Sequence, residues 1–159
     1  MKDTITDILC AKTLQLTDTR NNGFSISEQL TVIVDETLRE ATGINLGSDG
    51  CGLALFAVGG YGRGDMSPFS DIDIMLLSEK RDKQVTDSAQ LILYRLWDMG
   101  LNISHGFRTL NECLEDSFRD IQTRTSLLEA RFIAGDKNIP IKFKSDIYQK
   151  LLFKNRKGF

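Results

Sequence analysis

Two apolar runs near the middle of the chain predict buried strands. Residues 53–58 read LALFAV without a polar position, which is typical of a strand covered on both faces. Residues 70–77 read SDIDIMLL, in which Asp71 and Asp73 alternate with two isoleucines. Because side chains alternate across a strand, both carboxylates are predicted to point to one face and both isoleucines to the other.

Helical periodicity predicts the elements on either side of these strands. A capping box formed by Ser25 and Glu28 predicts the start of a first helix, and Gly43 is its predicted stop. Apolar positions at helical spacing predict a second helix over about residues 84–99, which precedes a third strand at residues 101–107.

The C-terminal part of the chain is predicted to be helical. Thr109 and Glu112 form a second capping box that opens one helix, residues 126–134 continue as helix, and Gly135 ends it. A last helix is predicted to begin at residues 138–140. The order helix, strand, strand, helix, strand, helices predicts an α/β (α+β) domain.

A glycine-rich turn joins the first two strands. Gly59, Gly60, Gly62 and Gly64 occupy four of the six positions 59–64, so the turn gives up side-chain packing and lets the backbone approach another group closely. Such a turn is usually only a turn when it stands alone. Its chemical meaning therefore depends on the residues that come after it in the chain.

The Asp-x-Asp pair after the turn predicts a cation site. Asp71 and Asp73 are costly to bury on an apolar strand unless something neutralises them, and their hard oxygen ligands suit Mg²⁺. A lone Asp-x-Asp is more often a solvated strand end. The glycine turn and the paired carboxylates together favour a functional site over a scaffold role.

Two familiar glycine-loop sites are excluded by the residues present. The turn is not Gly-x-Gly-x-x-Gly, so it lacks the glycine fingerprint of a Rossmann dinucleotide site. The chain also contains no Gly-Lys-Ser/Thr, so it has no P-loop.

Composition narrows the class of protein. The chain has 159 residues, 41% of them hydrophobic and 26% charged, which suits one globular domain. A net charge of −2 argues against general nucleic-acid binding. No apolar run approaches the ~20 residues of a membrane span, and the start lacks a signal-peptide core, so we expect a cytoplasmic protein. Three widely spaced cysteines indicate free thiols.

The motifs together resemble a known family. The string GGYGRGD at residues 59–65, followed by SDID at 70–73, resembles the signature of DNA polymerase β-type nucleotidyltransferases. It is most similar to the N-terminal nucleotidyltransferase domain of bacterial PII uridylyltransferase/uridylyl-removing enzymes. Residues 93–101, 104–113 and 127–136 agree with that family, so the resemblance covers roughly residues 25–136.

The resemblance implies a polymerase-β-like fold, which is a small mixed sheet flanked by helices. It also implies an activity. The reaction would transfer UMP from UTP to a tyrosine of the nitrogen-regulatory PII protein by a two-metal mechanism. Asp71 and Asp73 match the metal ligands and catalytic carboxylates. Gly59 and Gly60 would let backbone amides approach the triphosphate.

Four further residues are candidates with a plain structural alternative. Arg63 would pair with a phosphate oxygen or serve as an ordinary ion-pair partner. Ser70 would bond a phosphate or only cap the turn before the carboxylates. His105 and Arg108 would face or flank the site as accessory groups, although a satisfied strand-end role for His105 is slightly favoured.

The third strand departs from the superfamily, which usually carries a third carboxylate there. The strand contains no acidic residue. Glu129 and Asp98 are helical candidates for the missing ligand, and each is more typical of an ion-pair partner. The side chains of residues 93, 94 and 97 have helical spacing that predicts a core position.

The predicted organisation has three parts: an N-terminal arm at residues 1–24, the nucleotidyltransferase domain at 25–136, and a C-terminal helix at 137–159 that we expect to lead towards further domains. With a single histidine, an HD phosphohydrolase site is excluded here. Two alternatives stay open. One is a nucleotidyltransferase with another acceptor, of the signalling, antitoxin or small-molecule-modifying type. The other is a degenerate nucleotide-binding regulatory module.

Overall fold

The computed structural model describes residues 23–42, 52–67 and 70–153, which form a sheet covered by helices on both faces. In chain order the elements are α1 (Gly23–Thr42), β1 (Leu53–Ala57), α2 (Gly59–Gly62), β2 (Ile72–Ser78), α3 (Lys83–Asp98), β3 (Ile103–Thr109), α4 (Leu110–Arg119), α5 (Ile121–Leu128), β4 (Arg131–Gly135), α6 (Asn138–Lys142), a π-helical segment (Phe143–Tyr148) and α7 (Gln149–Phe153).

The sheet has four strands in the order β3-β2-β1-β4 and is mixed. β1 pairs antiparallel with both β2 and β4, whereas β2 and β3 run parallel and are joined by α3. The predicted α/β class, with a small mixed sheet flanked by helices, is therefore confirmed.

Each face of the sheet buries its own apolar cluster. On one face, side chains of α1 and α3 pack against alternate residues of β1 and β2, which include Leu55 and Ile74. On the other face, α4, α5 and the C-terminal helical segments pack against Phe56 and Met75. Because both faces are covered, all five residues of β1 are buried, as its unbroken apolar run predicts.

The local helix signals are mostly confirmed. Thr109 caps α4 in a capping box in which its side chain accepts from the Glu112 amide and the Glu112 carboxylate accepts from the Thr109 amide. Gly100 follows α3 with a φ of 72°, the left-handed conformation that ends helices. The first capping box is placed wrongly, because α1 begins at Gly23 and Ser25 lies inside its first turn.

The largest difference from the sequence prediction concerns residues 131–135. The sequence predicts them as the end of a helix, but they form β4, which pairs with β1 through a bulge near Phe56. Gly135 is not a helix stop. Its φ is 117°, and a Cβ there would lie 2.4 Å from the Leu53 carbonyl oxygen, so it allows two strands to approach closely.

The predicted core role of the aromatic residues on α3 is also wrong. Tyr94 is 60% exposed and Trp97 is 44% exposed, whereas Leu93 is buried. The helix turns only a narrow stripe towards the sheet, and the two aromatic rings lie outside it and contact each other edge-on at 5.7 Å.

Several predictions fall on residues that the structure does not describe. These are most of the N-terminal arm, the Gly43 stop, two of the three cysteines and the basic tail. Cys113 is described; it is a buried free thiol whose pKa is raised by burial to about 12. Among the described residues, no helix is both long enough and apolar enough to span a bilayer.

A buried ion pair joins α1 to β4. The Arg131 guanidinium donates to both carboxylate oxygens of Asp35, at 2.6 and 3.0 Å, and the Tyr61 hydroxyl donates to the same carboxylate at 2.6 Å. Burial raises the pKa of Asp35, but the hydrogen bonds from Arg131 and Tyr61 and the nearby positive charges outweigh it, so the pKa lies below its usual value.

We expect Gly135→Ala to destabilise the fold by about 2–4 kcal/mol, because it combines a left-handed backbone with a steric clash against β1. Gly106→Ala is the matched control, since a Cβ there meets nothing within 4 Å and should change stability by less than about 0.5 kcal/mol. Urea unfolding of both variants measures this, and equal stabilities would contradict the β1–β4 contact.

We expect the stabilisation from Asp35 to depend on pH in the acid range. Its folded pKa lies below the unfolded value of about 3.9, so the contribution is complete above that value and is lost as the pH falls through the folded pKa. The difference in Tm between the wild type and Asp35→Asn should therefore be constant near neutral pH and shrink below about pH 4. Asp87→Asn, which removes an exposed carboxylate on α3, is the control for the loss of one negative charge.

Candidate active site

The glycine turn leaves β1 directly beside Asp73. The Val58 amide donates to the Asp73 carbonyl at 3.1 Å and extends the β1–β2 pairing by one residue. The next residue, Gly59, has a φ of 59°, and a Cβ there would lie 3.3 Å from the Asp73 carboxylate. A glycine at this position therefore brings bare backbone against a carboxylate.

The glycine turn is helical from its first residue. The amides of Gly62 and Arg63 donate to the carbonyls of Val58 and Gly59, so α2 begins at Gly59. Gly60 has room for a Cβ at ordinary contact distance from the Asp65 carbonyl. Of the turn glycines, Gly59 is therefore the one that lies close to the candidate carboxylate of Asp73.

A cavity of about 320 Å³ opens in front of Asp73. It lies between the ends of β1, β2 and β3 and helix α5, and its polar lining residues are Asp73, Ser104, His105, Arg108 and Ser126, together with the backbone of Gly59. The structure therefore brings together four of the residues that the sequence motifs predict for the site: Gly59, Asp73, His105 and Arg108.

The parallel pairing of β2 with β3 decides which β3 side chains share a face with Asp73. Asp73 lies beside Ser104, and Ile74 lies beside His105. Because neighbouring positions in register point to the same side, Ser104 is on the Asp73 face and His105 on the opposite one. The His105 ring packs edge-on against Trp97 at 5.1 Å. Sequence reasoning missed Ser104, since only the strand register places it beside the carboxylate.

Arg108 supplies positive charge to the cavity wall. It lies on β3 four residues after Ser104 and is therefore on the same face. Its side chain is one-third exposed, and its Nε lies 3.6 Å from a carboxylate oxygen of Asp116 on α4. A guanidinium in this position can bind an anionic group that enters the cavity.

Asp71 and Ser70 do not line the cavity. Both are exposed and precede β2. The Asn102 side-chain amide donates to the Asp71 carboxylate, and the Asn102 carbonyl accepts from the backbone amide of Ile72 at 3.0 Å. Asn102 therefore ties Asp71 to the chain just before β3.

Arg63 and Glu129 form an ion pair at 2.8 Å, so Glu129 has the structural role that its sequence position favours. Glu129 lines a second opening, together with Gly59, Thr125 and Ser126, that adjoins the Asp73 cavity. Asp98, the other candidate for a third carboxylate, is exposed at the end of α3.

The carboxylates present are compatible with a metal whose coordination other ligands complete. Within the described ranges, no group of three His, Cys, Asp or Glu side chains is placed to hold a metal ion by itself. Mg²⁺ in phosphate-transfer sites is commonly bound by one or two carboxylates and by oxygens of the substrate. The hard oxygen donors of Asp71 and Asp73 fit that kind of site.

Comparison with known families identifies the class of this domain. The sequence profile described as "Nucleotidyltransferase domain" matches residues 44–126, which is more than half of the chain. The chain belongs to this nucleotidyltransferase family.

The chain is similar to curated relatives named "Bifunctional uridylyltransferase/uridylyl-removing enzyme". The Nitrobacter hamburgensis relative is 42% identical over 125 residues, covering 73% of this chain and 13% of the relative. The Nitrobacter winogradskyi relative is 50% identical over 91 residues, covering 57% and 10%. The Cupriavidus metallidurans relative is 41% identical over 130 residues, covering 80% and 14%. The chain thus spans 10–14% of the length of these relatives.

We expect Gly59→Ala to weaken binding of a magnesium–nucleoside triphosphate by about tenfold or more, because the methyl group displaces the Asp73 carboxylate. Gly64→Ala is the matched control: its φ is 75°, so its backbone strain is similar, but its nearest neighbour is a Thr31 methyl group at 4.0 Å. Calorimetric titration measures binding and thermal melting measures the shared loss of stability. Equal affinities in the two variants would contradict the role of Gly59.

Proposed function

We propose that the chain transfers UMP from UTP to a tyrosine of a PII-type regulatory protein. The observation that carries this proposal is the close approach of the Gly59 backbone to the Asp73 carboxylate at a cavity that also contains Arg108. The name uridylyltransferase, carried by the relatives, supports UTP as the nucleotide. The PII acceptor follows from the resemblance of the motifs, and a cytoplasmic location follows from these reactants.

Asp71 and Asp73 would hold Mg²⁺ together with oxygens of the triphosphate. The two residues lie on either side of Ile72, and Asp73 is the one at the cavity wall. When bound, two such ions neutralise charge that develops on the attacking and leaving oxygens of a phosphoryl transfer. Neighbouring carboxylates repel each other, so binding a cation also relieves a repulsion.

The residues around the cavity would orient the triphosphate for attack. Gly59 and Gly60 expose backbone amides without side-chain obstruction, and Ser70 adds a hydroxyl at the approach. Arg108 would pair with a phosphate oxygen, while Arg63 keeps its ion pair with Glu129. His105 borders the cavity from the opposite face of β3, as an accessory group held by Trp97.

The reaction exchanges the α–β phosphoanhydride bond of UTP for a new phosphoester bond to tyrosine. The tyrosine oxygen forms a bond to the α-phosphorus, the bond between that phosphorus and the pyrophosphate oxygen breaks, and the tyrosine proton is lost to solvent. In-line attack requires the acceptor to enter from the open side of the cavity. Positioning and charge neutralisation, which these residues supply, are the main sources of rate in such transfers.

Incubation of the chain with each labelled nucleoside triphosphate, Mg²⁺ and a PII protein tests the proposal. Mass spectrometry should detect a uridylyl group on a PII tyrosine, with UTP preferred over the other triphosphates. Transfer of UMP to a different acceptor would contradict the PII assignment and still support nucleotidyl transfer by this site. Binding of triphosphate without transfer to any acceptor would favour the degenerate regulatory module.

We expect Asp71→Asn and Asp73→Asn each to reduce transfer by more than about a hundredfold without unfolding the domain, because each removes a negative charge that the cation balances. Asp98→Asn is the matched control, since Asp98 is an exposed aspartate at the C-terminal end of α3 and does not line the cavity. Initial rates are measured beside thermal melting. Rates close to wild type in both site variants would contradict the metal-ligand assignment, and a loss in Asp98→Asn would restore Asp98 as a ligand.

A further inference from the structure

The glycine turn has little means of holding its own shape. Helix α2 contains four residues, three of them glycine, and its only side chain is Tyr61. A single helical turn is unfavourable in isolation, and each glycine adds about 1 kcal/mol to the cost of a helical conformation. The position of Gly59 against Asp73 therefore has to be imposed by contacts from outside the turn.

Those contacts come from a buried side-chain network behind the turn. Tyr61 is 2% exposed and packs in the cluster between α1 and the sheet. Its hydroxyl donates to Asp35 at 2.6 Å, and the same carboxylate receives two hydrogen bonds from Arg131. One guanidinium nitrogen of Arg131 also lies 3.4 Å from the Tyr61 carbonyl oxygen, so Arg131 contacts the turn's backbone as well.

Helix α1 also contacts the far end of the turn. The Ser27 hydroxyl donates to the Gly64 carbonyl at 3.1 Å. Two residues eight positions apart on α1, Ser27 and Asp35, therefore contact the glycine segment at Gly64 and at Tyr61. On the other side, Gly62 lies so close to the Glu129 carbonyl that a Cβ would be 2.4 Å away.

We infer that Asp35, Tyr61 and Arg131 are positioning residues for the nucleotide: their network holds the glycine turn at the distance from Asp73 at which triphosphate binds. This inference rests on the proposed function and adds residues outside the cavity wall to it. Asp35 and Arg131 also lie outside residues 44–126, the part that the family profile matches. The turn would otherwise sample other conformations and bind the triphosphate less often in the productive one.

Two conservative substitutions each remove one contact of the network. Tyr61→Phe keeps the buried ring and leaves the Asp35–Arg131 pair intact, but it removes the hydrogen bond from the Tyr61 hydroxyl to Asp35. Arg131→Lys keeps the charge and loses the two-pronged contact, because an ammonium group cannot donate from two fixed nitrogens. A purely structural role would lower stability in both variants without a selective effect on the nucleotide.

Two measurements on the full 159-residue chain test the inference. The first is the Kd for Mg²⁺–UTP with the KM and kcat of transfer. The second is amide hydrogen exchange at Gly62 and Arg63, whose amides donate within the turn. Ile147→Val is the control, because Ile147 is equally buried but packs on the opposite face of the sheet.

We expect Tyr61→Phe and Arg131→Lys to raise Kd and KM by about tenfold with a smaller change in kcat, and to speed exchange at Gly62 and Arg63. Ile147→Val should lower the Tm and leave all of these values near wild type. Wild-type affinity and exchange in Tyr61→Phe would overturn the inference, even if Arg131→Lys failed to fold.

The outcomes separate this inference from the proposed function. A wild-type chain that binds no triphosphate would overturn the proposed function and, with it, the role in nucleotide binding. The positioning role alone would be overturned if the wild-type chain binds UTP and Tyr61→Phe binds it equally well with an unchanged amide exchange rate. Weaker UTP binding in Tyr61→Phe and Arg131→Lys, without the same loss in Ile147→Val, supports both the proposed function and the positioning role.

Discussion

The interaction on which the rest of the structure depends is the buried carboxylate of Asp35. It receives hydrogen bonds from Arg131 on β4 and from Tyr61 in the glycine turn, and Arg39 lies 3.5 Å away on the next turn of α1. Burying a charge is costly unless its partners replace the lost water, and here three side chains do so. Because those partners belong to an edge strand, a turn and the same helix, a single carboxylate joins α1 to both the strand and the turn.

This constraint connects the fold to the chemistry. The carboxylate that joins α1 to β4 also binds Tyr61, two residues after the Gly59 backbone that lies against Asp73. The antiparallel pairing of β1 with β2 supports the same placement through the hydrogen bond from Val58 to the Asp73 carbonyl. Backbone positions in this site are therefore set by tertiary contacts. This agrees with the general requirement that groups which stabilise a phosphate transfer are held in place before the reaction.

The charges around the cavity are arranged on two sides. Asp73 lies on β2 at the cavity wall with Asp71 just before it, and Arg108 lies on β3 and is shared with Asp116. Carboxylates and a guanidinium in one opening suit a ligand that carries both cations and negative oxygens, such as a magnesium-bound triphosphate. Neither group alone has that specificity, since each is as common in surface ion pairs. Their combination beside bare glycine backbone distinguishes this opening from an ordinary surface cleft.

The sequence by itself determined the elements whose signals are local. An unbroken apolar run predicted β1, a capping box predicted the start of α4, and the glycines with two aspartates located the candidate site. It could not predict β4, because a five-residue segment with three apolar residues fits helix or strand equally well and becomes a strand only by pairing with β1. The exposure of Trp97, the place of Ser104 beside Asp73, and the role of Asp35 likewise depend on register and packing between distant segments. Only the tertiary structure decided these features, because the partner residues lie tens of positions away in the chain and a local sequence pattern cannot predict such pairings.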